Sequence, residues 1–154
     1  MKTFTTRHLV RHSADNMFAL VADVESYPDF VPLCEDLRIR GRQDLDGDRQ
    51  ILIADMTVGY KVFRETFTSK VTVDRPNLLI TVAYLDGPFR KLENRWRFTP
   101  KGEGACDVEF YISYEFKSRT LGLVAGAAFD RAFRQFSTAF EERADAIYGK
   151  AEVG

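Results

Sequence analysis

The sequence has few of the residues that covalent frameworks and most catalytic centres need. Its 154 residues include only two cysteines and two histidines. Two cysteines, Cys34 and Cys106, make neither a disulfide framework nor a metal pair, and we interpret them as reduced thiols in the core. His8 and His12 fall on a strand-to-helix junction rather than on one helix face. We therefore predict no metal site.

Two further absences limit the class of protein. The 22 basic and 23 acidic residues give a formal net charge of -1, without the basic excess of a dedicated nucleic-acid binder. No apolar run approaches the ~20 residues that span a bilayer, and the chain starts without the apolar segment of a signal peptide. We expect a cytoplasmic protein that contacts a membrane peripherally at most.

Known catalytic motifs are also missing. The sequence contains neither a Gly-x-Ser-x-Gly elbow nor a phosphate-binding glycine loop, so no catalytic residue is predicted. What the chain does have is aromatic residues: 13 Phe, 6 Tyr and one Trp, or 13% of the residues. Because each aromatic side chain buries a large area, such a small protein has either a very well filled core or a pocket with aromatic walls.

Hydrophobic periodicity predicts mostly strands followed by one long helix. Residues 4–10 read as a first strand, Ser13 as the N-cap of a short helix, and residues 27–32, with two prolines, as a turn or a stub helix. Alternating or β-branched segments predict six more strands, at residues 33–42, 49–58, 62–73, 78–85, 92–98 and 107–116.

After Ser118 the apolar period becomes helical. A stripe at spacings of three and four predicts a helix of roughly 25 to 30 residues that ends near Gly149. Its members are Ala125, Phe129, Ala132, Phe133, Phe136, Ala139, Phe140 and Ile147. Consecutive strands joined by tight turns are antiparallel, and this stripe can cover their apolar face. We predict one α+β domain over residues 1–154, with a curved antiparallel sheet of six or seven strands around the long C-terminal helix.

Four polar residues fall on the predicted inner face of the sheet, among aromatic residues: Glu65, Ser69, Asn94 and Tyr114. Burying an unpartnered carboxylate is costly, so these groups either pair with one another or face a cavity that holds water or a ligand. Both interpretations stay open. A cavity with aromatic walls and a few polar groups would suit a flat, oxygen-bearing, largely apolar ligand.

The start of the long helix contains Gly122 and Gly126 among leucine, valine and alanine. Small residues let a helix approach a sheet closely, which is one interpretation. Glycine also weakens a helix by roughly 1 kcal/mol per residue. The alternative is therefore an apolar gate, or a membrane contact, formed by the segment from Leu121 to Ala128.

Residues 21–34, Val-Ala-Asp-Val-Glu-Ser-Tyr-Pro-Asp-Phe-Val-Pro-Leu-Cys, resemble the signature of the coenzyme Q-binding START-domain family. Residues 56–60, 87–98, 110–118 and 139–144 are similar to the same family, so the resemblance covers nearly the whole chain. That family belongs to the polyketide cyclase/START-like superfamily, whose helix-grip fold agrees with the fold predicted from periodicity.

The resemblance implies a non-enzymatic protein that binds ubiquinone or a related isoprenoid quinone without a covalent link. Such a protein would be a lipid chaperone or carrier that supports respiratory electron transport and quinone biosynthesis, with peripheral contact at the inner face of a respiratory membrane. A bacterial branch of the family implies an alternative, a ribosome-association toxin that binds a ribosomal subunit and blocks subunit joining. The balanced charge weakens this alternative, which alone would involve nucleic acid.

We expect the ligand site to combine aromatic or apolar walls with polar groups for the quinone oxygens. The expected wall residues are Phe30, Val31, Met56, Phe63, Phe67, Trp96, Phe110, Phe129 and Phe133. Asn94 and Tyr114 can donate hydrogen bonds to quinone oxygens, and Glu65 can do so only when protonated. The isoprenoid tail is expected to leave between the segment from Tyr27 to Pro32 and the segment from Leu121 to Ala128, the two places where membrane contact is predicted.

Overall fold

A computed structural model describes residues 2–149 of the chain. These residues form seven strands, two α-helices and one short 3-10 helix. In chain order the elements are β1 (Lys2–Val10), α1 (Ala14–Ala22), the 3-10 helix (Val24–Asp29), β2 (Cys34–Leu45), β3 (Arg49–Tyr60), β4 (Phe63–Asp74), β5 (Leu79–Asp86), β6 (Phe89–Pro100), β7 (Cys106–Phe116) and α2 (Arg119–Tyr148).

The seven strands make one antiparallel sheet in the order β1-β7-β6-β5-β4-β3-β2. Strands β2 to β7 follow one another as hairpins, and β1 closes the far edge by pairing with β7, with Phe4 opposite Ile112. Register shifts interrupt β2 near Cys34 and Ile39, and β6 near Phe89. Because such bulges bend a strand and increase its twist, the sheet curves around α2.

As predicted, alternate side chains along the strands face α2, and their neighbours face outward. In β4, Phe63, Ser69, Val71 and Val73 are buried, whereas Lys70 between them is exposed. In β7, the predicted inward residues from Val108 to Tyr114 are buried as well. This inner face, α1 and α2 enclose the core, so the predicted α+β helix-grip architecture is confirmed.

Both helices begin where a serine can cap them. The Ser13 hydroxyl accepts a hydrogen bond from the Asn16 N–H at 3.1 Å, and the Ser118 hydroxyl accepts one from the Leu121 N–H at 3.3 Å. The α2 helix has 30 residues and ends at Gly149, whose φ of +87° is a left-handed value. The predicted cap, length and end of these helices are confirmed.

Five of the eight residues in the apolar stripe of α2 are buried, Phe136 and Ala139 are half-buried, and Ile147 is exposed. Ala125, Phe129, Ala132, Phe133 and Phe140 are all buried against the sheet. Ile147, which the stripe also included, is 50% exposed. The last turn of α2 contacts the segment around the start of α1, through Asp145 to His12 and Tyr148 to Asn16, and Ile147 is not covered by it. Helical spacing alone therefore does not guarantee a surface to pack against.

Strand ends were the least accurate part of the prediction. For example, β6 runs from Phe89 to Pro100, although alternation indicated only residues 92–98. The extra residues pair with β7, where Phe89 lies opposite Phe116. Backbone pairing thus continues past the residues whose side chains alternate, into the turn at residues 87–88.

Candidate binding cavity

An apolar cavity of about 110 Å³ lies between the inner face of the sheet and α2. Strands β2 to β7, the segment before β2 and the middle of α2 all contribute to its wall. The lining side chains are Val24, Tyr27, Pro32, Leu33, Leu37, Ala54, Met56, Val58, Phe67, Ser69, Val71, Ile80, Val82, Phe89, Leu92, Asn94, Trp96, Ile112, Phe129, Ala132, Phe133, Phe136 and Phe140.

Aromatic side chains form the wall of the cavity on the side of α2. Phe129, Phe133 and Phe140 are spaced by four and seven residues, so they project from one face of α2. Trp96 of β6 packs edge-on against Phe140, with ring centroids 4.9 Å apart, and Phe89 stacks on Phe129 at 5.9 Å. The cavity is the space that these rings and the inner face of the sheet leave unfilled.

Two polar side chains interrupt the apolar wall. Ser69 is 5% exposed, and its hydroxyl has no hydrogen-bond partner within residues 2–149. Asn94 donates from its amide nitrogen to the Tyr111 carbonyl oxygen at 2.9 Å, which fixes the orientation of the amide. A buried hydroxyl without a partner is destabilising, and a ligand oxygen in the cavity would relieve that cost.

The cavity is electrically neutral. Among residues 2–149 no aspartate, glutamate, histidine, lysine or arginine lines it. The Tyr27 hydroxyl donates a hydrogen bond to the Val21 carbonyl oxygen, and its pKa is raised, first by burial and then by the nearby Cys34 and Asp23. Burial also raises the pKa of the neighbouring Cys34 thiol to about 11. Both groups stay protonated near neutral pH and provide neither a general base nor a thiolate.

Half of the twelve expected ligand residues line this cavity. They are Met56, Phe67, Asn94, Trp96, Phe129 and Phe133. The other six lie elsewhere in the fold and are not part of the cavity wall. They are Phe30, Val31, Phe63, Glu65, Phe110 and Tyr114.

The four apolar members of the second group pack beside the cavity rather than into it. Phe30 packs against Phe140 at 5.0 Å, Phe63 against Phe129 at 5.8 Å, and Phe110 against Trp96 at 4.6 Å. Val31 is buried in the core. Alternation along a strand tells which face a residue is on, but not whether a second ring stands between it and the cavity.

The two polar members have different surroundings. Glu65 is half-buried near the start of β4, opposite Val58 of β3. Tyr114 is 2% exposed, packs against Phe133 at 5.1 Å and has a hydroxyl without a partner. Burial, and then the charge of Asp130, raise the pKa of Tyr114 to about 12. Tyr114 lies toward the N-terminal end of α2, on a second depression described below.

Several lining residues were absent from the expected set although the sequence carried a signal for them. Phe136 and Phe140 were on the predicted helix stripe, and Ser69 was on the predicted inner face of β4. Tyr27 lies in the two-proline segment and reaches the cavity from its edge. The patterns identified these faces correctly, but only the assembled sheet shows which residues border open space.

The segment from Tyr27 to Pro32, one side of the expected exit for a ligand tail, packs its rings against the second half of α2. Tyr27 and Phe30 both pack against Phe140, with ring centroids 5.3 and 5.0 Å away, and Asp29 lies 3.7 Å from the Arg143 guanidinium. Phe140 lies 17 residues after Leu123, or about 25 Å along α2 at 1.5 Å per residue. Pro32 and Leu33 nevertheless line the same cavity as Phe129, which directly follows Ala128, so the exit between the two segments stays a prediction.

Residues 2–149 also yield two findings about other kinds of site. No helix in this part of the chain is both long and apolar enough to cross a bilayer. Within the same range, no cluster of three or more His, Cys, Asp or Glu side chains could hold a metal ion.

A curved antiparallel sheet that closes over a cavity with one long C-terminal helix is a helix-grip architecture. Residues 10–141 match the family described as "Polyketide cyclase / dehydrase and lipid transport", and this chain belongs to that family. The membership predicted from the sequence blocks is thus confirmed. By its description the family includes both enzymes and lipid-transport proteins.

Three similar proteins come from different parts of this family. The ribosome association toxin RatA of Vibrio cholerae is 35% identical over 150 residues, covering 97% of this chain and 100% of the toxin. The mitochondrial coenzyme Q-binding protein COQ10 homolog B of Xenopus laevis is 34% identical over 145 residues, covering 92% of this chain and 57% of that protein. The solution structure of the 18 kDa protein CC1736 from Caulobacter crescentus is 36% identical, with a TM-score of 0.78 over 97% of this chain and 99% of that one.

Proposed function

We propose that this protein binds an isoprenoid quinone, ubiquinone or a close relative, in the cavity between the sheet and α2. In this proposal it acts as a carrier or chaperone for the quinone in respiration and quinone biosynthesis. The observation that carries the proposal is an aromatic cavity whose buried Ser69 hydroxyl has no protein partner. The similarity to a coenzyme Q-binding protein supports it.

The apolar wall supplies the driving force for such a ligand. Each CH₂ group removed from water contributes about 0.8 kcal/mol, so one or two isoprenoid units give several kcal/mol. The quinone ring itself can pack against the edges and faces of Trp96, Phe129 and Phe133, which line the cavity. The ring oxygens then need polar partners, and Ser69 and Asn94 are the polar side chains in the wall.

The small size of the cavity requires that it enlarge when a quinone ring binds. An apolar cavity of about 150 Å³ takes up benzene, and this one measures about 110 Å³. A substituted quinone ring therefore enters only when lining side chains on α2 or the neighbouring strands move outward. The ring and the first isoprenoid units would occupy the enlarged cavity, and the rest of the tail would stay outside.

We also propose that the protein binds its ligand without transforming it. A cyclase or hydrolase needs an acid or base near the reacting atoms. The cavity wall in residues 2–149 has no ionisable side chain except Tyr27, which is held protonated and engaged with the Val21 carbonyl. Glu65, the expected in-facing acid, lies outside the wall.

The first experiment uses Trp96, the only tryptophan, which is 3% exposed and lines the cavity. Titration with a short-chain ubiquinone should quench its fluorescence with saturation. Ala132→Leu, which fills the cavity from α2, should weaken binding at least 10-fold. Ala127→Leu places the same side chain on an exposed position of the same helix and should leave binding unchanged.

Ser69→Ala separates the polar role of Ser69 from packing. Removing an unpartnered buried hydroxyl should leave the free energy of unfolding unchanged or raise it, while quinone binding becomes several-fold weaker. An organic extract of protein purified from a quinone-producing host should contain the isoprenoid quinone by mass spectrometry. No saturable quenching together with an extract free of isoprenoids would refute the proposal.

A second candidate function is supported by the similarity to RatA, which extends over nearly all of both chains. In that case the protein would bind a ribosomal subunit and block subunit joining. It would then co-sediment with isolated subunits in a salt-sensitive manner, and its overexpression would arrest growth. If neither occurs, this function is excluded.

We place the protein in the cytoplasm, in peripheral contact with the inner face of a respiratory membrane. The support for this contact comes from exposed apolar side chains in one segment of the chain. In the segment from Leu121 to Ala128, Leu123 is 86% exposed and Val124 is 53% exposed. The segment from Tyr27 to Pro32, the other expected contact, packs its rings against Phe140 and presents less apolar surface.

A further inference from the structure

A second depression, separate from the apolar cavity, lies beside the first turns of α2. It has a volume of about 610 Å³ and is formed by the start of β1, the start of β6, the end of β7 and the beginning of α2. Its lining side chains are Lys2, Arg90, Tyr114, Glu115, Phe116, Lys117, Ser118, Arg119, Gly122, Leu123 and Gly126. We refer to it as the α2 groove.

The rim of the α2 groove is cationic. Lys2, Arg90, Lys117 and Arg119 are all exposed. Arg90 lies 3.5 Å from Glu115, the one acidic side chain in the groove. Within residues 2–149 the other three cations form no ion pair. The groove thus has an excess of three positive charges, at the positive N-terminal end of the α2 dipole.

The floor of the groove contains an unsatisfied polar group and open space. Tyr114 lines the groove and is 2% exposed, and in the described part of the chain its hydroxyl has no hydrogen-bond partner. Gly126 is buried, yet a Cβ atom built on it would meet no atom within 4 Å. A buried backbone beside empty space and an unpartnered hydroxyl together indicate a site that a ligand completes.

The surroundings of the groove are apolar and exposed. Leu123 and Val124 project from α2 beside the groove and are 86% and 53% exposed. Leu85, also 53% exposed, precedes the β5–β6 turn, whose Pro88 carbonyl accepts a hydrogen bond from the Lys117 N–H. A nucleic-acid backbone would leave these side chains in water, whereas the interface of a bilayer would bury them.

From this combination we infer that the α2 groove binds the phosphate headgroup of an anionic phospholipid at a membrane surface. The phosphate would lie among Lys2, Lys117 and Arg119, near the first N–H groups of α2. Leu123 and Val124 would enter the acyl boundary. This inference extends the membrane contact of the proposed function, but it does not depend on the identity of the ligand in the cavity.

The position of the groove relates the lipid site to the cavity. Phe116, which lines the groove, stacks on Phe129, which lines the cavity, with ring centroids 5.3 Å apart and planes within 6°. A stacked pair of rings thus lies between the two spaces. A protein held at a bilayer by this groove would have that pair facing the membrane.

The test is co-sedimentation of the full chain with phosphatidylcholine vesicles that contain phosphatidylglycerol, compared with pure phosphatidylcholine vesicles. The wild type should bind the anionic vesicles, and Lys2→Gln/Lys117→Gln/Arg119→Gln should weaken binding about 10-fold or more. Arg11→Gln/Lys70→Gln/Arg131→Gln removes the same charge from exposed positions elsewhere and should bind like the wild type.

Two further variants examine the groove itself. Tyr114→Phe should weaken vesicle binding several-fold without lowering the urea midpoint, because it removes an unpartnered hydroxyl. Gly126→Leu should fill the groove and weaken binding to a similar extent. Gly122→Leu fills the same groove from one turn earlier and replaces Gly126→Leu if that variant does not fold.

Three results would overturn the inference. One is equal loss of binding in both charge-matched triple variants, which indicates a diffuse electrostatic effect. Another is binding of inorganic phosphate without binding to anionic vesicles. The third is binding to ribosomal subunits, lost in the groove triple variant, with no binding to vesicles. Quinone binding by the groove variants is measured separately, from the quenching of Trp96 fluorescence. Failure of the lipid-binding inference can therefore be distinguished from failure of the proposed quinone binding.

Discussion

The imidazole Nε2 of His12 lies 2.7 Å from the Asp145 carboxylate Oδ1, although 133 residues separate the two in sequence. His12 is 6% exposed and precedes α1, whereas Asp145 is in the last turn of α2. Four residues earlier in the chain on both sides, Nε2 of His8 in β1 and Oε1 of Glu141 in α2 are 3.0 Å apart. These contacts fasten the C-terminal end of α2 to the N-terminal segment.

His12→Ala should lower the free energy of unfolding by about 1 to 3 kcal/mol, because a buried hydrogen bond to a charged group is lost. His8→Ala is the matched control. Its side chain is 44% exposed, so the change should stay within about 0.5 kcal/mol. Urea denaturation followed by circular dichroism measures both. Equal effects of the two variants would contradict the importance of the buried pair.

Phe140→Ala should be one of the most destabilising substitutions in the chain. Phe140 is 1% exposed and contacts the rings of Tyr27, Phe30 and Trp96 within 5.3 Å. A loss of about 3 to 5 kcal/mol in the free energy of unfolding is expected.

Ile147→Ala is the comparison for Phe140→Ala, since Ile147 belongs to the same predicted stripe but is 50% exposed. It should cost less than about 1 kcal/mol. Thermal unfolding of the two variants distinguishes buried from exposed positions of the stripe. A loss for Ile147→Ala comparable to that for Phe140→Ala would contradict the position of the last turn of α2.

Two glycines should respond to alanine in opposite directions. Gly87 has a φ of +143°, and a Cβ there would lie 2.5 Å from the Phe67 Cβ, so Gly87→Ala should destabilise the fold by about 2 kcal/mol or more. Gly126 is inside α2 and has open space at that position, so Gly126→Ala should stabilise by up to about 1 kcal/mol. Paired urea midpoints measure both, and a common sign would refute the prediction.

Stability should fall at alkaline pH because of the two buried thiols. Burial raises the pKa of Cys34 and of Cys106 from 9.0 to about 11. The folded state therefore keeps protons that the unfolded state loses, and the stabilisation present below pH 9 disappears as the pH rises to about 11.

The Cys34→Ala/Cys106→Ala variant identifies the thiol contribution. Each protein is compared with its own urea midpoint at pH 8, because truncation of the two cysteine side chains lowers stability at every pH. Between pH 8 and pH 11 the midpoint should fall less in this variant than in the wild type. Identical pH profiles would show that other groups cause the alkaline loss. In the native wild type at pH 8, a thiol reagent should label both cysteines only after denaturant is added.

The elements of the fold could be predicted because their signals are local. Alternation identified the inner faces of β4 and β7, and Ser13 and Gly149 were found from the chemistry of helix ends. Strand ends could not be predicted to the residue. The pairing of Phe89 with Phe116 depends on the partner strand, which no local pattern contains.

The cavity was harder to predict than the sheet around it. Trp96 and Phe110 both face inward on neighbouring strands, yet only Trp96 borders the cavity, because Phe110 lies against it at a centroid distance of 4.6 Å. In the same way, Phe63 packs against Phe129, and it is Phe129 that lines the cavity. A residue borders open space only when no other ring covers it, and this depends on curvature, bulges and the rotamers of several elements.

The amino-acid sequence by itself determined the class of fold, the face that most side chains take and the aromatic character of the interior, because periodicity and composition act over a few residues. Tertiary structure alone decided that Ser69 keeps a hydroxyl without a partner among residues 2–149 and that Tyr27 packs against Phe140. It also decided that cations from the start of β1, the start of β6 and the start of α2 gather around one groove. These features arise from contacts between residues far apart in the chain, whose distances are set only when the sheet closes on the helix.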